Sequence, residues 1–126
     1  MNKNIILVVE DDEISCELFK ELFERERIKP FIIVNNGEQA IEICKSKKDV
    51  KLVLMDYKLP GIDGCEALRE IRKIRKDLPI IIQTACVYSG DKDSYINCGF
   101  DDYLSKPIIA KDLLSIIAKY CKYNLN

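Results

Sequence analysis

The chain predicts an α/β fold, a single doubly wound parallel sheet of the (βα)5 type with strand order 2-1-3-4-5, and three observations carry that reading. Short apolar runs recur along its 126 residues, amphipathic stretches of helical period separate them, and the runs are apolar almost throughout rather than alternating with polar residues. Strands buried on both faces read as continuous hydrophobic runs. When such strands alternate with helices they lie parallel, joined by right-handed crossovers that place helices on both sides of the sheet. At this length one domain, residues 1–126, is expected, with a core large enough to need neither disulfides nor a structural metal.

The first strand is IILVV at 5–9, broken by the acids of VVEDDE at 8–13. Ile14, Leu18 and Leu22 then fall at i, i+4 and i+8 with Phe19 and Phe23 beside them, which predicts helix 1 with Asp12 as its cap. FIIV at 31–34 is strand 2, and Ala40, Ile41 and Cys44 mark the stripe of helix 2. KLVLM at 51–55 is strand 3; it runs straight into Asp56 and is broken at Pro60 and Gly61. Leu68, Ile71 and Arg75 carry the spacing of helix 3, and PIIIQT at 79–84 is strand 4. The next connection, VYSGDKDSYINCG at 87–99, offers only Tyr95, Ile96 and Cys98 as apolar anchors and has Gly90 near its start, so helix 4 is predicted to be the loosest of the five. DDYLS at 101–105 is strand 5, and Leu113, Ile116, Ile117 and Tyr120 form the stripe of helix 5. Gly37, Gly64 and Gly99 fall at element boundaries, where tight turns are expected.

Composition excludes several classes. Hydrophobic residues at 48% and charged residues at 33% describe a globular protein, and no apolar run approaches the roughly eighteen residues that span a bilayer. The start, MNKNIILVV, lacks the apolar core of a secretory signal, so a cytoplasmic location without membrane contact is expected. A net charge of −1 argues against a nucleic-acid footprint, and the lysines and arginines between 69 and 76 read as a solvated helix face. The six cysteines, at 16, 44, 65, 86, 98 and 121, form no CxxC pair. They read as small buried apolar residues in a reducing compartment. With no histidine in the chain, Ser-His-Asp and Cys-His catalysis are excluded, and any histidine chemistry must come from a partner.

The acids mark the site. In an open parallel sheet, ligands bind beyond the carboxyl ends of the strands where strand order reverses, which here is between strands 1 and 3. Strand 1 ends in Glu10, Asp11 and Asp12 and strand 3 in Asp56, so two acidic stretches converge. Two like charges about 4 Å apart cost roughly 4 kcal/mol at an effective dielectric near 20, so such a cluster calls for a cation. An oxygen-only set favours Mg2+, or Mn2+, which keeps waters and leaves room for a phosphate. Thr84 closes strand 4 and Lys106 follows strand 5, where a phosphoryl group needs a hydroxyl and a cation. Taken singly each of these residues has an ordinary explanation, a helix cap, a strand end or a surface charge; their gathering at one sheet edge is what points to a site.

In order and spacing, VVEDD, LVLMDYKLPGIDG, IIIQTA and YLSKP resemble the receiver domain of bacterial two-component response regulators, over essentially the whole chain. NNGEQAIE and CGFDDYLSKPI look especially like receivers attached to hybrid sensor histidine kinases. The resemblance implies a flavodoxin-like receiver fold and a signalling phosphoacceptor rather than an enzyme. Asp56 is then the phosphoacceptor; Asp11, Asp56 and the main-chain carbonyl of Lys58 hold Mg2+, with Glu10 acting through water. Thr84, the amide of Ala85 and Lys106 bind the phosphoryl oxygens, Lys106 held by a cis bond to Pro107. Thr84 and Tyr103 form the switch, read out on the face of helix 4, strand 5 and helix 5. The implied partners are a sensor histidine kinase or histidine phosphotransfer domain, a downstream output protein or domain, and a second copy on phosphorylation. Lys58 and Cys86 depart from the commonest family choices at positions that tune phosphate lifetime, and Tyr57 and Tyr88 are expected near the same rim.

Three rival readings stand beside it. A haloacid-dehalogenase-type phosphatase also places a nucleophilic aspartate at a strand end, but wants a second acid two residues on, where this chain has Lys58. A flavin binder of the same topology wants a first loop rich in Ser, Thr and Gly rather than Glu10, Asp11 and Asp12. A degenerate receiver serving only as a docking module would not need the acceptor, the metal acids, Thr84 and Lys106 all intact.

Overall fold

The computed structural model describes residues 4–85 and 97–121. Five parallel strands, β1 (Ile5–Val9), β2 (Phe31–Val34), β3 (Val50–Asp56), β4 (Ile80–Thr84) and β5 (Asp102–Ser105), form one sheet in the order β2-β1-β3-β4-β5. The connections carry α1 (Glu13–Arg25), α2 (Gly37–Ser46) and α3 (Gly64–Ile74), and a C-terminal helix (Ala110–Cys121) follows β5. That order and the parallel pairing are those the sequence predicts. The predicted helix 4, with Cys86, Tyr88, Gly90, Tyr95 and Ile96, lies outside the described residues except for Asn97–Gly99. Among the described residues no helix is long and apolar enough to cross a membrane.

β1 and β4 are buried along their whole length and β3 at every residue but Lys51, whereas β2 at the edge is half-buried, as the rule for parallel sheets requires. Alternation of side chains along the strands divides the core in two. On one side Leu7, Val9, Val53 and Ile82 pack with Ala40 and Cys44 of α2 and Leu68 and Ile71 of α3. On the other, Ile6, Val8, Leu54 and Ile81 pack with Phe19 and Phe23 of α1 and with Leu113, Ile116 and Ile117 of the C-terminal helix. Each of the first three helices starts at a carboxylate or amide cap: Asp12, Asn36 and Asp63 accept from the backbone N–H three residues on, satisfying one of the donors a helix start leaves open.

Three expectations are corrected. Ile14 is not part of the buried stripe of α1 but 80% exposed; the face that packs is Phe19, Leu22 and Phe23, at i, i+3 and i+4, and Ile14 falls off it. The lysines and arginines between 69 and 76 are not uniformly solvated. Arg75 reaches back to the carbonyls of Cys44, Lys47, Lys48 and Val50, and Arg72 donates to the carbonyls of Leu78 and Gly99 and to Asp101 Oδ2 at 2.6 Å. Guanidinium groups with five donors cross-brace loops that leave carbonyls open. Finally, the cysteines are not all buried thiols. Cys44 is buried and Cys16 and Cys121 are half-buried, but Cys65 and Cys98 are joined by a disulfide across 33 residues, with their Cα atoms 6.1 Å apart.

Candidate functional site

Because all five strands run one way, their carboxyl ends share one edge, and the predicted residues arrive there by strand geometry alone. Glu10 continues β1 by one residue, its N–H donating to Val34 O at 2.9 Å. Asp56 is the last residue of β3 and Thr84 the last of β4. Lys106 follows β5, its N–H held by Thr84 O at 2.8 Å, and the Lys106–Pro107 bond is cis, as expected. The turn after Asp56 closes where Gly64 N donates to Tyr57 O at 3.0 Å. A side chain at Gly64 would press on Asp56 O and Tyr57 Cα, so only glycine lets α3 start this close to the strand end.

Glu10 is fully buried and Asp56 9% exposed. Between them lies the ammonium of Lys106, 2.9 Å from Glu10 Oε1 and 3.2 Å from Asp56 Oδ2. Glu10 Oε2 accepts from Asp12 N at 3.2 Å, so this carboxyl is positioned from two directions. Carboxylate oxygens of Glu10, Asp11 and Asp56 lie within 4.8 Å of one another. Asp11 is exposed at the mouth, while Asp12 turns away to cap α1 through Ser15 N and Oγ, both at 2.9 Å.

The charges respond as crowded acids must. Burial, then a hydrogen bond with Asp56, push the Glu10 carboxyl up to about 7 against the pull of Lys106. Burial alone would lower the Lys106 ammonium, but the hydrogen bond to Glu10 and the charges of Asp56 and Glu10 hold it above its ordinary value. Three clustered carboxyl groups, two of them in contact with a single ammonium, leave room for further positive charge. The donor set is oxygen only, since the chain has no histidine and the nearby Cys16 Sγ is turned to Glu10 O at 3.3 Å. These residues fit a hard divalent cation that retains waters, Mg2+ or Mn2+.

Beside the acids is an open pocket of about 370 Å3 lined by Asp56, Lys58, Gln83, Thr84, Ala85 and Lys106 among others. Thr84 is buried, whereas Lys58 and Ala85 are exposed, and Tyr57 is half-buried on the same rim. Tyr103 is half-buried on β5, packed against the α2 and α3 side of the core. Sequence reasoning missed Gln83. It is fully buried, its Nε2 donates to Leu54 O at 2.9 Å, and its Oε1 has no partner among the described residues. A glutamine in an otherwise apolar strand was the available signal.

The chain matches the family model described as the response regulator receiver domain over residues 6–118. It is 35% identical over 127 residues to hybrid signal transduction histidine kinase I of Dictyostelium discoideum, aligning 94% of this chain with 7% of that protein. It is 33% identical to the transcriptional regulatory protein YkoG of Bacillus subtilis, over 98% of this chain and 54% of the relative. The chain thus spans well under two thirds of the length of these relatives. Among solved structures it resembles the receiver domain of a Pseudomonas aeruginosa sensor histidine kinase, described with a magnesium ion coordinated in its active-site cleft. The TM-score is 0.85, identity is 29%, and the match covers 96% of this chain and 99% of that one.

Proposed function

Because the chain belongs to the response regulator receiver domain family, we propose that it is a phosphoacceptor of a two-component phosphorelay, taking a phosphoryl group onto Asp56 from a phosphohistidine on a sensor histidine kinase or histidine phosphotransfer domain. The observation that carries this reading is the ammonium of Lys106 set between Glu10 and Asp56 at 2.9 and 3.2 Å, on the rim where Asp11 completes the acidic cluster.

Phosphoryl transfer asks for positioning and for neutralisation of charge spread over three oxygens, more than for acid or base catalysis. Asp56, at the end of a rigid strand, is the nucleophile; its oxygen attacks phosphorus in line and the partner's imidazole leaves. A carboxylate is already ionised, so a chain without histidine lacks nothing. Asp11, Asp56 and the Lys58 carbonyl, with Glu10 through water, would hold Mg2+ or Mn2+, which would supply charge neutralisation when bound. Lys106 exchanges its contact with Asp56 for one to a phosphoryl oxygen, while the Thr84 hydroxyl and the Ala85 N–H donate to the others.

The added charge of about −1.5 to −2 then shifts a population. Thr84 moves toward the phosphoryl group and Tyr103 turns inward, changing the face made by helix 4, β5 and the C-terminal helix, where an output protein, an output domain or a second copy docks. Helix 4 of that face lies outside the described residues except for Asn97–Gly99. Residues 1–126 act as one receiver domain in the cytoplasm, signalling rather than turning over substrate, and binding neither nucleic acid nor membrane. Incubation with Mg2+ and a small acyl phosphate tests the chemistry: a phosphate-sized mass gain is expected for the wild type and not for Asp56→Asn. A gain retained by the variant, or absent from both, overturns the reading.

A further inference from the structure

We propose that Cys65 and Cys98 are a reversible thiol–disulfide pair that makes the signalling of this receiver responsive to thiol redox state. The disulfide is in place in this structure and closes a loop between residues 33 positions apart. Both cysteines are half-buried, so small thiols and disulfides can reach them. In the cytoplasm, where glutathione keeps thiols reduced, a disulfide that forms is a transient one with a sensing or catalytic role. The other described cysteines do not compete. Burial pushes the thiols of Cys44 and Cys121 up to about 11 and raises that of Cys16, which leaves them poor nucleophiles.

The bond sits on a seam that the chain crosses on its way into β5. Cys65 is in the first turn of α3, one residue after Gly64. Cys98 precedes Gly99, which has φ +118° and approaches Leu68 so closely that a Cβ would lie 2.9 Å from Leu68 Cδ2. Arg72 ties the same seam non-covalently, through Gly99 O at 3.3 Å and Asp101 Oδ2 at 2.6 Å. Asp101 in turn accepts from Ile80 N at 2.8 Å. In the oxidised state the tether is covalent; in the reduced state the hydrogen bonds of Arg72 and the packing of Gly99 on Leu68 remain. The tether joins the helix that starts beside Asp56 to the entry of the strand that carries Tyr103, and so holds back any rearrangement passing through β5.

The chemistry is exchange with a low-molecular-weight disulfide such as oxidised glutathione. The thiolate of one cysteine attacks a glutathione sulfur, forming a mixed disulfide and expelling one glutathione thiolate. The second cysteine attacks the protein-bound sulfur, closing Cys65–Cys98 and expelling the other. Two protein thiols are oxidised, one disulfide is reduced to two thiols, and the two protons pass to the departing glutathiones. A dithiol reductant reverses the sequence.

The coupling to signalling rests on the phosphoacceptor reading above, and the test separates the two. In the full chain, treatment with dithiothreitol followed by oxidised glutathione is read by alkylation and peptide mass spectrometry. A Cys65–Cys98 linkage that opens in the dithiol and re-forms with glutathione is expected, and Cys65→Ser and Cys98→Ser must each lack it. A linkage that never forms, or that dithiothreitol cannot open in the folded chain, overturns the proposal. Acyl-phosphate labelling of the oxidised and reduced forms with Mg2+ is then compared. By linkage, a tether that disfavours the activated arrangement also disfavours phosphorylation. Labelling of the oxidised form is expected to be at least threefold slower, with both serine variants indifferent to oxidant. Equal rates in the two forms overturn the coupling. Failure of both forms to label, with the exchange intact, counts instead against Asp56 as acceptor.

Discussion

Lys106 and Glu10, 96 positions apart in sequence, meet at 2.9 Å beneath the rim of the sheet, and this contact is shorter than the 3.2 Å between Lys106 and Asp56. The cation of the site therefore lies nearer to the buried Glu10 than to Asp56, the proposed acceptor, and an incoming phosphoryl group would draw it outward.

Replacing that cation should slow phosphorylation without unfolding the chain. Charged hydrogen bonds contribute about 1.5–3 kcal/mol, so Lys106→Met is expected to label with a small acyl phosphate roughly ten- to a hundredfold more slowly. Its far-ultraviolet circular dichroism should remain that of the wild type. An unaltered labelling rate would show that the ammonium does not reach the phosphoryl oxygens.

Glu10 sets a pH dependence whose sign is fixed. Its carboxyl is raised from 4.5 to about 7 in the folded chain, so the folded state binds the proton more tightly than the unfolded one. The stability it contributes is full below about pH 4.5 and is lost as pH rises to about 7, an effect of at most about 3 kcal/mol. In EDTA, Glu10→Gln, which keeps the shape of the neutral form, should flatten the urea-unfolding midpoint across this window and be the more stable protein at pH 8. Calorimetry should find its Mg2+ affinity reduced. Parallel pH profiles of the two proteins would contradict the assignment.

Gln83 presents a buried acceptor with no partner among the described residues, and the cost of such a group left unpaired is about 1–3 kcal/mol. The donation of its Nε2 to Leu54 O fixes which way the amide faces. Gln83→Leu removes both the hydrogen bond and the orphan, so stability should hold or rise by about 1 kcal/mol, seen as a higher urea midpoint at unchanged m. A clear loss of stability would mean that Oε1 is hydrogen-bonded in solution.

Much of this was legible in the sequence because it depends on period and order. The continuous apolar runs specify five parallel strands, and parallel strands carry whatever closes them to one edge, so the sequence alone places Glu10, Asp56, Thr84 and Lys106 together. What depends on tertiary proximity was not legible. Cys65 and Cys98 carry no spacing signal, because α3, β4 and the following connection lie between them. Arg72 and Arg75 share the charged pattern of solvated neighbours, and only the carbonyls brought beside them make them braces. Ile14 matched a helical stripe because i, i+4 and i+8 can be satisfied slightly off the packed face.

Lys58 is exposed on the pocket wall, two residues beyond Asp56, the proposed acceptor. A cation there can screen the phosphoryl group from attacking water, and exposed charge interactions are worth about 0.2–1 kcal/mol. Lys58→Ala should thus shorten the phosphate lifetime about two- to fivefold, measured as decay of radiolabel after removal of the donor. An unchanged decay rate would remove Lys58 from any role in lifetime.

Gly64 and Gly37 each open a helix, yet their substitution should have different consequences. At Gly37 an added Cβ would meet the side chain of Ile62, 2.8 Å from Cγ1, and Ala67 Cβ at 3.1 Å, both in the packing between α2 and α3. At Gly64 it would meet backbone, 2.9 Å from Asp56 O and 3.1 Å from Tyr57 Cα, with no rotamer to yield. Overpacking costs about 1–3 kcal/mol in either place, so both alanine variants should be destabilised by that order. Only Gly64→Ala must displace the carbonyl of Asp56, the proposed acceptor, and misplacement of a reacting group by a fraction of an ångström is felt strongly in rate. Acyl-phosphate labelling per folded molecule is therefore expected to fall at least tenfold in Gly64→Ala and to stay within about twofold of wild type in Gly37→Ala. Equal labelling by the two variants would mean that the start of α3 can move without carrying Asp56 with it.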